Sequence, residues 1–155
     1  MRCTRRCGAR RGAVLIEFAF VVTLLILLIL ATLEFDRMLL VYTTMADSAR
    51  AGLRYAIVHG RNRIGTGADG PSGPGSNPPE VLTVIRNNAR GGLVSPAALP
   101  AACAPGTPGI CVTYPDGSNA PGSRVQIRVA YAFLPFTILP LHANLGTTTQ
   151  GVIAF

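Results

Sequence analysis

One acid stands inside the longest apolar run of the chain. Glu17 lies in AVLIEFAFVVTLLILLILATL, residues 13–33, where the other polar side chains are Thr23 and Thr32. A carboxylate at mid-bilayer costs about 2.5–3.5 kcal/mol, and an ionisable residue in such a run is a functional hypothesis by default. Its chemistry is charge pairing. If the chain began at Ala13, Glu17 would fall in the first turns of a helix, where the dipole favours an anion. A free amine, on the same or a neighbouring chain, would pair with it. The plainer alternative is a glutamate that reaches the interface and does nothing more.

The cysteines offer a second chemistry. Cys103 and Cys111 flank a short segment holding Pro105, Gly106, Pro108 and Gly109. In an oxidising compartment they form a disulfide, which for so short a loop stabilises by roughly 2–3 kcal/mol in the chain-entropy model. Cys3 and Cys7 sit among arginines at the start of the chain. Their spacing suits half a metal site, but no second pair or histidine accompanies them. His59 and His142 keep no ligand spacing with other donors. The stretch GTGADG has neither the lysine nor the following helix of a phosphate-binding loop, and no nucleophile motif surrounds any serine. With no tryptophan and 6% aromatic residues, the chain lacks the stacking platforms of a single-stranded nucleic-acid binder. We expect no catalytic residue, metal, cofactor, small-molecule substrate or nucleic-acid partner.

The element that must position Glu17 is a membrane span. At 1.5 Å per residue, residues 13–33 cover roughly 30 Å, the hydrocarbon thickness of a bilayer. Arg2, Arg5, Arg6, Arg10 and Arg11 precede the run and no acid does. A nucleic-acid arm would also use these arginines, but the adjacent span explains them through the positive-inside rule. The N-terminus is then cytoplasmic, the span is single, and the rest of the chain is exported. The apolar core is longer than that of a cleaved secretory signal, and Ala31-Thr32-Leu33 makes a poor cleavage site.

Gly12, four apolar residues (Ala13 to Ile16), then Glu17-Phe18 looks like the processing site of a type IV prepilin. More closely, RRGAVLIEFAFV followed by LEFDRMLLVYTTMADSARAGLRYA resembles the TadE-like family of pseudopilins of bacterial tight-adherence pili. The resemblance covers about residues 11–56, with Asp36 where a small residue is usual. It implies that a prepilin peptidase cuts after Gly12 and that Ala13 becomes a methylated N-terminus. It also implies that Glu17 assists recognition and neutralises a neighbouring amine during assembly, with Phe18 completing the motif. The implied partners are the prepilin peptidase, other pilins and pseudopilins, the assembly platform and membrane lipid. The implied place is the bacterial inner membrane, with the C-terminal domain periplasmic, and the implied role is in pilus biogenesis and surface adherence. The alternative is an unprocessed single-span protein whose exported domain binds an envelope partner.

Composition agrees with an anchor and one small domain. The chain has 155 residues, 49% of them hydrophobic, and a formal charge of +7. Loss of residues 1–12 removes five arginines and no acid, taking the charge from +7 to +2. The basicity is therefore mostly a topology signal. All fourteen basic residues are arginine.

Helical periodicity continues past the span. Phe35, Met38, Tyr42, Met45, Ala49, Gly52 or Leu53, and Ala56 fall at steps of three and four. One helix over residues 13–58, apolar all round in its first half and amphipathic from residue 34, would be roughly 69 Å long. Residues 59–77 are too rich in glycine and proline for regular structure, and a mobile loop is expected. A second helix follows over residues 77–90, with Asn77 as cap, Glu80 in a capping box, and Val81, Leu82, Ile85 and Ala89 on one face. Residues 93–109 read as irregular. Residues 110–114 form a strand, Pro115-Asp116-Gly117 a turn, and Val125, Ile127 and Val129 alternate with polar residues in a second strand. Residues 130–141 are apolar but broken by Pro135 and Pro140, fit for a connection or an apolar patch. Leu145, Thr147, Thr149 and Ile153 alternate in a last strand. The expected fold is α+β and pilin-like. A long N-terminal helix precedes a small domain, residues 78–155, with one further helix and about three antiparallel strands.

Overall fold

The computed structural model describes residues 6–92, 94–135 and 143–155. The element order is helix α1 (Arg6–Val58), helix α2 (Pro79–Ala89), then strands β1 (Gly109–Thr113), β2 (Arg124–Phe133) and β3 (Ala143–Val152). The fold is α+β, as expected. The centre of the apolar 134–141 stretch, His142, Cys3, Arg2 and Arg5 lie outside the described residues. The chain divides into two compact units, residues 1–37 and residues 38–155.

In the first unit α1 is already helical at Arg6, ahead of the expected start at Ala13. The preceding Arg and Ala residues are good helix formers and no proline interrupts them. The apolar side chains of this unit, including Leu15, Phe18, Phe20, Leu24, Leu28 and Leu33, are exposed.

In the second unit α1 buries Val41, Met45, Ser48, Ala49, Gly52 and Ala56. The buried stripe keeps Met45, Ala49, Gly52 and Ala56 of the expected one and departs from it at the start, where Val41 is 4% exposed while Tyr42 and Phe35 are 44% and 54% exposed. Both stripes have helical spacing, and what selects between them is contact. From Ser48 to Ala56 the inward face is made of small residues, Ser48, Ala49, Gly52 and Ala56, that let α2 approach. A side chain on Gly52 would strike Ile85 of α2, and one on Gly92, just past α2, would strike Thr44.

Helix α2 presents Val81, Leu82, Ile85 and Ala89 to the core, as its sequence pattern predicts. Its start differs. Pro78 stands at the N-cap position without a side-chain cap bond, and Asn77 lies one residue earlier with φ of 55°. Asn77 instead serves β1. Its Oδ1 accepts from the Val112 amide at 2.8 Å, and its own amide donates to the Val112 carbonyl at 3.1 Å. Asparagine tolerates the left-handed region better than most residues, and its amide side chain can imitate a neighbouring strand. Arg86 does not serve its own helix end either. Its Nε and Nη2 both donate to the Leu99 carbonyl at 3.2 Å, which ties the irregular segment to α2.

That segment supplies core. Val94 and Leu99 are buried, although no periodicity marks them. The loop over residues 60–77 is irregular, as expected, and makes specific contacts at Arg61 and Ser72. Ser72 is 1% exposed. Its amide donates to the His59 carbonyl at 2.7 Å, its hydroxyl donates to the same carbonyl, and its carbonyl accepts from Asn119 Nδ2 at 2.8 Å. The Arg61 amide donates to the Asn119 carbonyl at 2.9 Å. His59 itself stacks on Tyr55, with ring centroids 3.8 Å apart.

The sheet is antiparallel in the order β1-β2-β3. Ile127 of β2 lies opposite Val112 of β1 and Thr149 of β3. Val125, Ile127 and Val129 are fully buried, as their alternation predicts. Strand β2 runs on to Phe133, into the stretch expected to be irregular, because Phe133 pairs with Ala143. The inner side of β3 carries Leu145, Thr147 and Thr149, all half-buried. Leu53 and Ile57 of α1 lie close to Gly151 of the same strand.

Candidate functional site

The expected processing residues Gly12, Ala13, Glu17 and Phe18 all lie on α1 and are all exposed. A side chain added at Gly12 would meet nothing within 4 Å, so no packing contact of the described residues requires glycine there. Ala13 and Glu17 are four residues apart in one helix. They therefore lie on one face, one turn apart.

Among the described residues, nothing packs against this part of α1. Its most apolar stretch is long enough and apolar enough to cross a membrane, and none of that stretch is buried. Exposing so many Leu, Ile and Phe side chains to water opposes the hydrophobic effect, which stabilises by about 25 cal/mol for each Å² withdrawn. The helix is consistent with a membrane anchor. The two threonines of the run fit the same environment. Thr23 Oγ1 donates to the Ala19 carbonyl and Thr32 Oγ1 to the Ile29 carbonyl, each at 2.8 Å. Both hydroxyls find their acceptor within the helix, which a bilayer requires of every polar group it surrounds. Where the run ends, Arg37 Nη1 lies 3.6 Å from Glu34 Oε2, one turn along the helix. That ion pair was legible in the i,i+3 spacing but was not singled out from the sequence.

Cys103 and Cys111 are joined in a disulfide, with Cα atoms 4.7 Å apart. The bridge binds an exposed loop to β1. Asn77 Nδ2 lies 3.5 Å from the Cys103 sulfur, so the loop before α2, the bridge and β1 meet at one point.

Elsewhere the chemistry is sparse. A cleft of about 340 Å³ is lined by Tyr55, Pro79, Glu80, Thr83 and Val84. Burial, then the charges of Glu80 and Asp69, push the Tyr55 phenol up. The Tyr114 phenol is also pushed up by burial. Among the described residues no three His, Cys, Asp or Glu side chains converge as a metal site would need.

Comparison with protein families adds one positive finding. Residues 12–54 match the family described as TadE-like protein. The match begins at Gly12 and takes in Glu17 and the whole apolar run, and the resemblance read from the sequence is borne out there. Among curated proteins and among solved structures, nothing matches this chain.

Proposed function

From the TadE-like character of residues 12–54, we propose that this chain is a minor pseudopilin of a Tad-type pilus or secretion system. It enters the inner membrane with its arginine-rich N-terminus in the cytoplasm and its second unit outside, in the sense that the positive-inside rule favours. A prepilin peptidase, for which this chain is the substrate, cuts after Gly12. Ala13 then carries the new amine, which is methylated. Glu17 pairs with that amine or with the amine of a neighbouring subunit, offsetting the cost of an anion in the bilayer. The apolar helix packs with other pilin-like spans at the assembly platform and so supports pilus biogenesis and adherence. The role is structural and not catalytic.

One observation carries this reading: a family match that starts at the proposed cleavage glycine and continues along an apolar helix that nothing covers. The test is the mass of the mature chain in a host with its own prepilin peptidase. The expected N-terminus is a methylated Ala13. Glu17→Ala should leave the chain in the membrane and abolish fibre assembly. An intact Met1 together with normal assembly of the Glu17→Ala chain would instead mean an unprocessed single-span protein that docks an envelope partner.

A further inference from the structure

The two sulfurs of the disulfide differ in reach. Cys111 stands in β1 opposite Arg128 of β2 and is 7% exposed, while Cys103 is exposed. A thiol or disulfide arriving from solvent therefore meets the Cys103 sulfur first.

The loop is held by more than sulfur. Cys103 lies between two pinned neighbours. On one side the Ala102 amide donates to the Ile110 carbonyl at 2.9 Å, and the Ile110 amide donates to the Pro100 carbonyl at 2.8 Å. On the other side the Ala104 carbonyl accepts from Thr107 Oγ1 and from Arg128 Nη2, each at 2.7 Å. None of these bonds involves the disulfide. With the S–S bond open, Cys111 stays in the strand ladder and Cys103 stays tethered beside it. The reduced pair is poised to close within the folded unit.

Asn77 biases the pair further. Its Oδ1 accepts from the Val112 amide at 2.8 Å. That bond fixes which end of the side-chain amide points where, and Nδ2 is left facing the Cys103 sulfur at 3.5 Å. An N–H donated to sulfur favours thiolate over thiol, and the thiolate is the nucleophile in exchange.

We propose that Cys103 is the exchange-active sulfur of this chain and Cys111 the resolving one. The co-reactant is the disulfide of an oxidoreductase or of a small oxidised thiol. In the first step the Cys103 thiolate attacks one sulfur of that disulfide. A mixed disulfide forms at Cys103, and the oxidant's other sulfur leaves as a thiolate. In the second step the Cys111 thiolate attacks the Cys103 sulfur, the bridge forms, and the oxidant's remaining sulfur leaves. Two electrons pass from the cysteine pair to the oxidant, and the two cysteine protons end, through water, on its thiols. Opening reverses these steps and must expel a Cys111 thiolate into a covered position. Burial disfavours a thiolate, and a poorer thiolate leaves more slowly. The bridge thus closes readily and opens slowly. All of these residues belong to the second unit, so the chemistry is the same whichever way the chain is anchored.

The test uses the full-length chain in nanodiscs, carrying Cys3→Ser and Cys7→Ser so that the other two cysteines are read alone. Glutathione disulfide is the probe, and its adduct is read by mass. Cys103 in the Cys111→Ser chain should react about tenfold faster than Cys111 in the Cys103→Ser chain, and the two rates should converge in guanidinium, because folding alone separates them. Equal rates in the folded chains, or a faster Cys111, overturn the proposal. The reduced chain that retains both cysteines gives a second reading. Acid-quenched early in oxidation, it should carry glutathione at Cys103 on peptide mapping and lose it as the bridge closes. Glutathione at Cys111, or the same course with and without guanidinium, overturns the proposal. Asn77→Asp keeps an acceptor for the Val112 amide and removes the donor to sulfur, and aspartate tolerates the left-handed region. It should slow Cys103 at neutral pH and move the midpoint of its pH–rate profile upward. An unchanged profile overturns the positioning role of Asn77.

Discussion

Asn77 uses its backbone and its side chain on a single residue, Val112. Replacing it with alanine leaves the Val112 amide without its acceptor and puts a residue that tolerates the left-handed region less well than asparagine at φ of 55°. We expect Asn77→Ala to cost about 1–3 kcal/mol for the unpaired amide, with Asn77→Gly losing less because glycine accepts that backbone freely. Denaturant unfolding of the full chain in detergent, followed by tyrosine fluorescence, measures both. Asp116 acts differently. Its carboxylate accepts from Arg124 Nη2 at 2.7 Å and from the Arg124 amide at 2.8 Å. These hydrogen bonds hold its carboxyl down at about 2, from an ordinary 3.8. A carboxyl lowered in the folded state stabilises above its unfolded value and loses that contribution as pH falls through the folded value. The wild type should therefore exceed Asp116→Asn in melting temperature at pH 6, and the gap should close between pH 4 and pH 2. The pair is exposed, so added salt should narrow the gap at pH 6.

Helix α1 shows how an element can carry two environments on one periodicity. Its first part exposes apolar side chains on every face, while residues 41–56 bury one narrow stripe that begins with Val41 and Met45 and continues with the small residues Ser48, Ala49, Gly52 and Ala56. Gly52 is the closest approach to α2 in that stripe. Its missing side chain leaves room for Ile85, with Ile127 of β2 next in line at 3.4 Å. Gly52→Val should destabilise the second unit by about 1–3 kcal/mol through overpacking. Gly52→Ala should also destabilise, because its β-carbon already strikes Ile85 Cγ1, but by less than valine because it adds fewer atoms. The same unfolding measurement distinguishes them. Periodicity alone favoured Tyr42 over Val41, and both choices keep steps of three and four. The positions of α2 and the sheet, not α1 itself, decide which stripe is inside.

At the scale of the molecule, the proposed topology places the second unit outside the cytoplasmic membrane. Protease added to spheroplasts should digest residues beyond the span and leave a membrane-held fragment containing residues 13–33. Inside-out vesicles should protect the same region. Digestion in the opposite pattern would reverse the orientation drawn from the arginines. The sequence by itself determined the apolar span, the buried face of α2, the inward set of β2 and the acid after Gly12. Each of these is a local property, written as the length, period or spacing of nearby residues. The tertiary structure alone decided the contacts of Ser72 with His59 and Asn119, and the burial of Val94 and Leu99. It also decided the diversion of Asn77 from helix cap to strand clamp. Those outcomes depend on hydrogen-bond partners and neighbours tens of residues away, and short-range spacing holds no record of them.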